Sequence, residues 1–136
     1  MASLFVKVTI KPGKLTEFEN VCRALEKETK KEKGCLQYSY WRSQKERSYY
    51  CILEFSSYRD FLIHQTSEHH EKLITPRVDE LFEAFETEWL DPVEGASQGI
   101  PTEHQPANHA DSDLIKFYAE RMPAIKALWW DALRSK

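Results

Sequence analysis

The chain has 136 residues, of which 41% are apolar and 30% charged, and its formal net charge is −3. This is enough apolar material for one soluble domain with an appendage, not for two cores. The charge balance supplies no positive field to draw nucleic acid, and no run approaches the about 20 apolar residues that span a bilayer.

The start, "MASLFVKVTIKPGK", lacks a basic region followed by a long apolar one, so no secretory leader is expected. Leu4, Val6, Val8 and Ile10 alternate with Phe5, Lys7 and Thr9, which predicts a first strand ended by Pro12-Gly13. Leu15, Phe18, Cys22 and Leu25 then recur at helical spacing, and Gly34 supplies the stop. The basic run "KETKKEKG" carries acids as well and is read as a solvated helix end.

"CLQYSYWRS" predicts a second strand, with Leu36, Tyr38 and Tyr40 opposed to Gln37, Ser39 and Trp41. Residues 44–47, "QKER", make a hairpin connection without the Asn-Gly of the tightest turns. "SYYCILEFSS" is a third strand with two largely apolar faces, Tyr50, Ile52 and Glu54 against Tyr49, Cys51, Leu53 and Phe55. Ser57 caps a second helix carrying Phe61, Leu62 and His64, while Thr66 and Ser67 predict a break and a new cap before Glu68–Leu73. "AFETEWLDP" alternates again, with Phe85, Thr87 and Trp89 opposed to Glu86 and Glu88, and Pro92 closes that strand.

The order β-α-β-β-α-β over residues 1–92 is the ferredoxin-like α+β arrangement, a four-stranded antiparallel sheet with both helices on one face. The other face receives some of Phe5, Trp41, Phe55 and Trp89, depending on register. Large aromatics there predict a second sheet packed against it, supplied by a second copy of the chain as a homodimer. Residues 93–111 are rich in Pro, Gly, Ser, Asn and His without periodicity and predict an extended connector. Residues 112–136 predict a helical extension, with Ile125, Leu128, Trp129, Ala132 and Leu133 forming a stripe that must dock. Reinforcing a dimer is the favoured role for it, and capping a pocket is the other.

"CILEFSSYRDFLIHQTSEHHEKL" resembles the signature of the antibiotic biosynthesis monooxygenase family, with Glu54, His64, Ser67, His69 and His70 at the motif positions. "LFVKVTIKPGKLTEFENVCRALEKETKKEKGCLQYSYWRS" is similar to the family's first strand, first helix and second strand, including the "KPGK" turn and the "E-x-GC" entry to strand two. The likeness covers residues 1–92. It implies a dimeric α+β barrel with a pocket between sheet and helices in each protomer. It also implies one of several activities, namely cofactor-free oxygenation of phenols and quinols, isomerase-like chemistry, or haem degradation. The haem-degrading members use an asparagine in the first strand and a tryptophan in the second helix. Residues 1–19 hold no Asn and residues 57–82 no Trp.

Cofactor-free oxygenation needs a base near neutrality, a flat apolar pocket and donors for a developing oxyanion. Histidine, with an ordinary pKa of about 6.5, suits the first role. His64 is therefore read as catalytic base or as a semi-buried core histidine. Glu54 either orients a histidine or makes a structural hydrogen bond, and His69 is a further catalytic candidate or a helix-start residue. Tyr38, Tyr40, Tyr50 and Phe61 are candidate substrate-binding rings, or else an aromatic core under the helices. His70 projects about 100° from His69 on a helix, so one of the two is expected to face solvent.

No metal site is expected. HExxH is absent, and adjacent histidines on a helix do not chelate one ion. No cofactor is expected either, because no Gly-rich phosphate loop or GxSxG elbow is present and the chain has only four glycines. The three cysteines, Cys22, Cys35 and Cys51, lack C-x-x-C spacing, which argues against a disulfide framework and fits a reducing cytoplasm. The sequence thus points to a cofactor-independent monooxygenase for a small phenolic, quinol or enolisable metabolite. A non-catalytic dimeric ligand-binding protein, or an isomerase on the same fold, is the alternative.

Overall fold

Leu4, Val8 and Ile10 are buried along one side of the first strand, as their alternation requires. The structure, a computed structural model, describes residues 2–98, 101–103 and 112–134. β1 (Ala2–Ile10) is followed by α1 (Leu15–Thr29), β2 (Cys35–Arg42), β3 (Ser48–Phe55), α2 (Tyr58–Gln65) and α3 (Glu68–Leu73). A 3-10 turn over Thr75–Arg77 and the short α4 (Val78–Leu81) lead into β4 (Phe82–Trp89). The sheet order is β2-β3-β1-β4 with every pair antiparallel, which is the ferredoxin-like topology.

Register decides which aromatics face the helices. Leu4 pairs with both Leu53 and Trp89, and Val8 with Tyr49 and Phe85, so Trp89 and Phe85 share the helix side. Phe55 is fully buried there, edge-on to Phe61 of α2, and Trp89 packs on Tyr58 and Phe61. Two of the four aromatics expected as far-face candidates therefore belong to the helix-side core. The far face keeps Phe5, stacked on Tyr50 at 5.1 Å, and the exposed Trp41.

α1 lays Phe18, Val21, Cys22 and Leu25 on the sheet, with Phe18 4.8 Å from the Tyr49 ring. The three cysteines are free thiols. Burial of Cys22 and Cys51 pushes both thiols up, away from thiolate. The hairpin between β2 and β3 turns through Arg47, at φ 56, a left-handed position without the glycine or asparagine usually found there.

Beyond β4, α5 (Asp113–Arg121) is capped by Ser112 and buries Ala119. The helix expected to carry the stripe from Ile125 to Leu133 is cut to α6 (Leu128–Asp131). Pro123 has no N–H to extend α5, and Leu128, Trp129 and Leu133 lie exposed rather than docked as a stripe. Among the described residues no helix is long and apolar enough to cross a membrane.

Candidate active site

The site is assembled by two local devices. The first is a broken helix. Thr66 ends α2, its hydroxyl donating back to the carbonyls of Leu62 and Ile63. Ser67 then caps α3, accepting from the His70 N–H while its own hydroxyl donates to the His64 carbonyl at 2.6 Å. The second is a close approach. Gly34 accepts the Ser56 N–H at 2.8 Å, and a Cβ at Gly34 would sit 2.3 Å from Asp60 of α2. The α1–β2 loop is thereby drawn against the start of α2, and Glu32 reaches the histidines.

Oε2 of Glu32 lies 3.0 Å from Nδ1 of His64 and 2.6 Å from Nε2 of His69. An ionised carboxylate only accepts, so both ring nitrogens donate to it. His64 is then protonated on Nδ1, which leaves Nε2 as its basic nitrogen. Its ring is 1% exposed, between Phe55 and Tyr38 at 5.2 Å each. Oε1 of Glu32 is buried with no hydrogen-bond partner among the described residues.

His70 stands beside this pair, its ring 5.1 Å from that of His64. Burial, and then charge on the His64 and His69 rings, lower its pKa to about 3, so His70 is neutral at physiological pH. Its Nδ1 lies 3.3 Å from the Thr75 hydroxyl.

His64 and His70 border a cavity of about 390 Å³ between sheet and helices, within the usual range for small-molecule sites. Leu4, Val6, Val8 and Leu53 supply its sheet side, Phe18 and Leu25 its α1 side, and Phe82 and Phe85 another wall. Tyr38 and Tyr40 reach it as a hydroxyl pair 2.7 Å apart. Burial pushes both phenols well up, so they stay protonated. The Tyr40 hydroxyl also lies within hydrogen-bonding reach of the Cys51 thiol. Tyr118 and Met122, from α5 and its end, close the remaining side.

The profile of the antibiotic biosynthesis monooxygenase family matches residues 1–75, more than half of the chain. The chain belongs to that family. Glu32, Tyr38, Tyr40 and all three site histidines lie within the matched segment, whereas Tyr118 and Met122 lie outside it. Among solved structures, PA3566 of Pseudomonas aeruginosa is 24% identical over 65% of this chain and 90% of its own, with a TM-score of 0.61. Rv0793 of Mycobacterium tuberculosis is 20% identical, covering 71% of this chain and 98% of its own, at 0.64. A crystal structure of an antibiotic biosynthesis monooxygenase is 24% identical over 68% of this chain and 99% of its own, at 0.63. These likenesses support the fold alone. No curated protein matches.

In this family member the expected site residues separate into groups. His64, Tyr38 and Tyr40 border the cavity. His69 does not border it and instead holds Glu32. Of the two adjacent histidines, the one on the cavity is His70, and neither is left to solvent, with side-chain exposures of 19% for His69 and 15% for His70. The cap at Ser67 turns the edge of α3 inward, so the angle between the rings spans Glu32 on one side and the cavity on the other. Phe61 packs beneath the site on Phe55 and Trp89 without bordering the cavity. Glu54 and Tyr50 lie on the far face of β3, because strict alternation gives the helix side to Cys51, Leu53 and Phe55.

Glu32, Tyr118 and Met122 escaped the sequence reading as site residues, while His70 entered it only as one of an adjacent pair of which one was expected to face solvent. For Glu32 a signal existed, since it is the first residue of "E-x-GC". Read as the tail of a charged run, it looked solvated.

Glu32, His64 and His69 also form the cluster that can be weighed as a metal site, with donor atoms within 4.8 Å of one another. Ligand atoms on a tetrahedral zinc, with bonds of about 2.0–2.1 Å, stand roughly 3.3–3.5 Å apart. The 2.6 Å contact between His69 and Glu32 is shorter than that and has the length of a charge-assisted hydrogen bond.

Proposed function

We propose that the protein is a cofactor-independent monooxygenase for a small phenol, hydroquinone or enolisable metabolite. The observation that carries this reading is the Glu32–His64 pair at the edge of an apolar cavity. Glu32 fixes the Nδ1–H tautomer of His64, and Nε2 takes the substrate's hydroxyl proton. The carboxylate then faces the imidazolium it helped to form. Apolar walls keep water from the anion and strengthen each remaining polar contact. A hydroxyl of the Tyr38–Tyr40 pair turns to donate to the oxyanion.

The electron-rich anion passes one electron to oxygen, the two radicals join through a new C–O bond, and the hydroperoxide loses water. For a hydroquinone the balance is one hydroquinone and one oxygen molecule giving one hydroxyquinone and one water. No external reductant enters this balance. The same reading makes the assembly a homodimer, with Phe5, Tyr50 and Trp41 covered by a second sheet.

Oxygen uptake with a panel of hydroquinones and naphthohydroquinones tests the proposal. Turnover that falls about 10²-fold or more in His64→Ala supports it. Saturable binding of the panel without oxygen uptake by the wild-type chain would assign a binding role instead. Enolisation without oxygen uptake would assign an isomerase.

A further inference from the structure

The cavity is completed by a part of the chain outside the family segment. The match to the family ends at residue 75, and the solved relatives cover 65–71% of this chain while giving 90–99% of their own length. Yet Tyr118 and Met122 border the cavity. They are held there by several contacts. The Tyr58 hydroxyl donates to the Met122 carbonyl at 2.9 Å, the Gln65 amide donates to Met122 Sδ at 3.3 Å, and Ala119 and Ala124 are buried in the core. Farther along, Arg134 grips both carboxylate oxygens of Asp91 at 2.7 and 3.1 Å and the Thr102 carbonyl at 2.7 Å. The extension is thus pinned to its own body at two places.

Tyr118 is also set electrically. Its hydroxyl donates to Oε1 of Glu71 at 2.6 Å. The proton being committed, the phenolic oxygen offers only lone pairs to anything else. Neutral His70 stands edge-on at 6.2 Å, and the Thr75 hydroxyl is 3.5 Å away. Tyr118 thus brings an accepting oxygen to a side of the cavity that it shares with Gln65, His70 and Thr75.

We propose that Tyr118 and Met122 form a substrate subsite for a hydroxyl-bearing aromatic or enolic ring, Tyr118 Oη accepting from the ligand's hydroxyl and Met122 packing on its ring. The subsite deepens the oxygenase reading and rests on the same cavity, but it concerns binding alone and can be tested without turnover.

The test uses the full chain under nitrogen and two probes of nearly equal shape, 2-naphthol and 2-methoxynaphthalene, with affinities measured by calorimetry. The wild-type chain is expected to bind 2-naphthol more tightly. Tyr118→Phe should weaken 2-naphthol about fivefold, the weight of one net hydrogen bond, and leave 2-methoxynaphthalene unchanged. Met122→Ala should weaken both probes alike. Glu71→Ala keeps the tyrosine but frees its proton, and should narrow the preference in the same direction as Tyr118→Phe. Equal effects of Tyr118→Phe on both probes, no effect on either, or no saturable binding by the wild-type chain would overturn the subsite. Absence of oxygen uptake with an intact naphthol preference would instead remove the oxygenase reading and leave the subsite standing.

Discussion

Nδ1 of His64 meets Oε2 of Glu32 at 3.0 Å across a separation of 32 residues. The pair joins the loop after the first helix to the end of the second, and it converts a buried histidine into an oriented one. Without the carboxylate, His64 is an imidazole in an aromatic core. With it, the ring has a fixed tautomer and an assigned basic nitrogen.

The tautomer can be observed directly. Long-range ¹⁵N–¹H spectra at pH 8 should show His64 as the Nδ1–H form in the wild-type chain. Glu32→Ala should release the ring to a mixed or Nε2–H population. A wild-type ring protonated on Nε2 would contradict the assigned base.

His70 predicts an acid-sensitive stability. Its folded pKa is about 3, while an unfolded histidine titrates near 6.5. Between those values the unfolded chain binds a proton that the folded chain does not, so this contribution is complete above about pH 6.5 and is lost as pH falls toward 3. By pH 5 the loss is on the order of 2 kcal/mol. Melting temperatures of the wild type and His70→Gln measured from pH 7 to pH 4 should converge, the variant falling less steeply. Parallel curves would show that His70 does not titrate as described.

Gly34 predicts a packing penalty in the loop that delivers Glu32. An added Cβ meets Cβ, Cγ and Oδ2 of Asp60 at 2.3–2.6 Å. Asp60 has little room to yield, because its carboxylate accepts from Ser57 and Ser56 and its N–H is the one capped by Ser57. Gly34→Ala should therefore destabilise the fold by about 1–3 kcal/mol and lower turnover by loosening Glu32 from His64. Chemical denaturation measures the first effect. An unchanged midpoint would show that the loop relaxes without penalty.

Much of this fold was legible because it follows from periodicity. Alternation in "SLFVKVTIK" and "AFETEWLDP" and the apolar spacing from Phe18 to Leu25 specify the strands, the first helix and their order. The Thr66-Ser67 break was legible from cap chemistry. The site was less so, because its central contact joins residues distant in sequence. Glu32 sits among lysines, and only the tertiary approach allowed by Gly34 turns it from a surface charge into a partly buried acceptor. Glu54 illustrates the reverse. It lies within the signature, but a strand's two-residue period sends it away from the cavity. The extension failed the periodicity test in another way, since the stripe from Ile125 to Leu133 is helical in spacing but finds no surface to bury it among the described residues. Periodicity reports what a segment can bury, and packing decides whether it does.

The most direct test of the account is a comparison of oxygen turnover in Glu32→Gln, His64→Ala and the double variant, using the hydroquinone on which the wild-type chain is most active. If Glu32 acts through His64, the double variant loses no more than His64→Ala alone, since removing the ring leaves the carboxylate nothing to orient. Losses that multiply would show that Glu32 and His64 act independently and would contradict the pair as the catalytic unit.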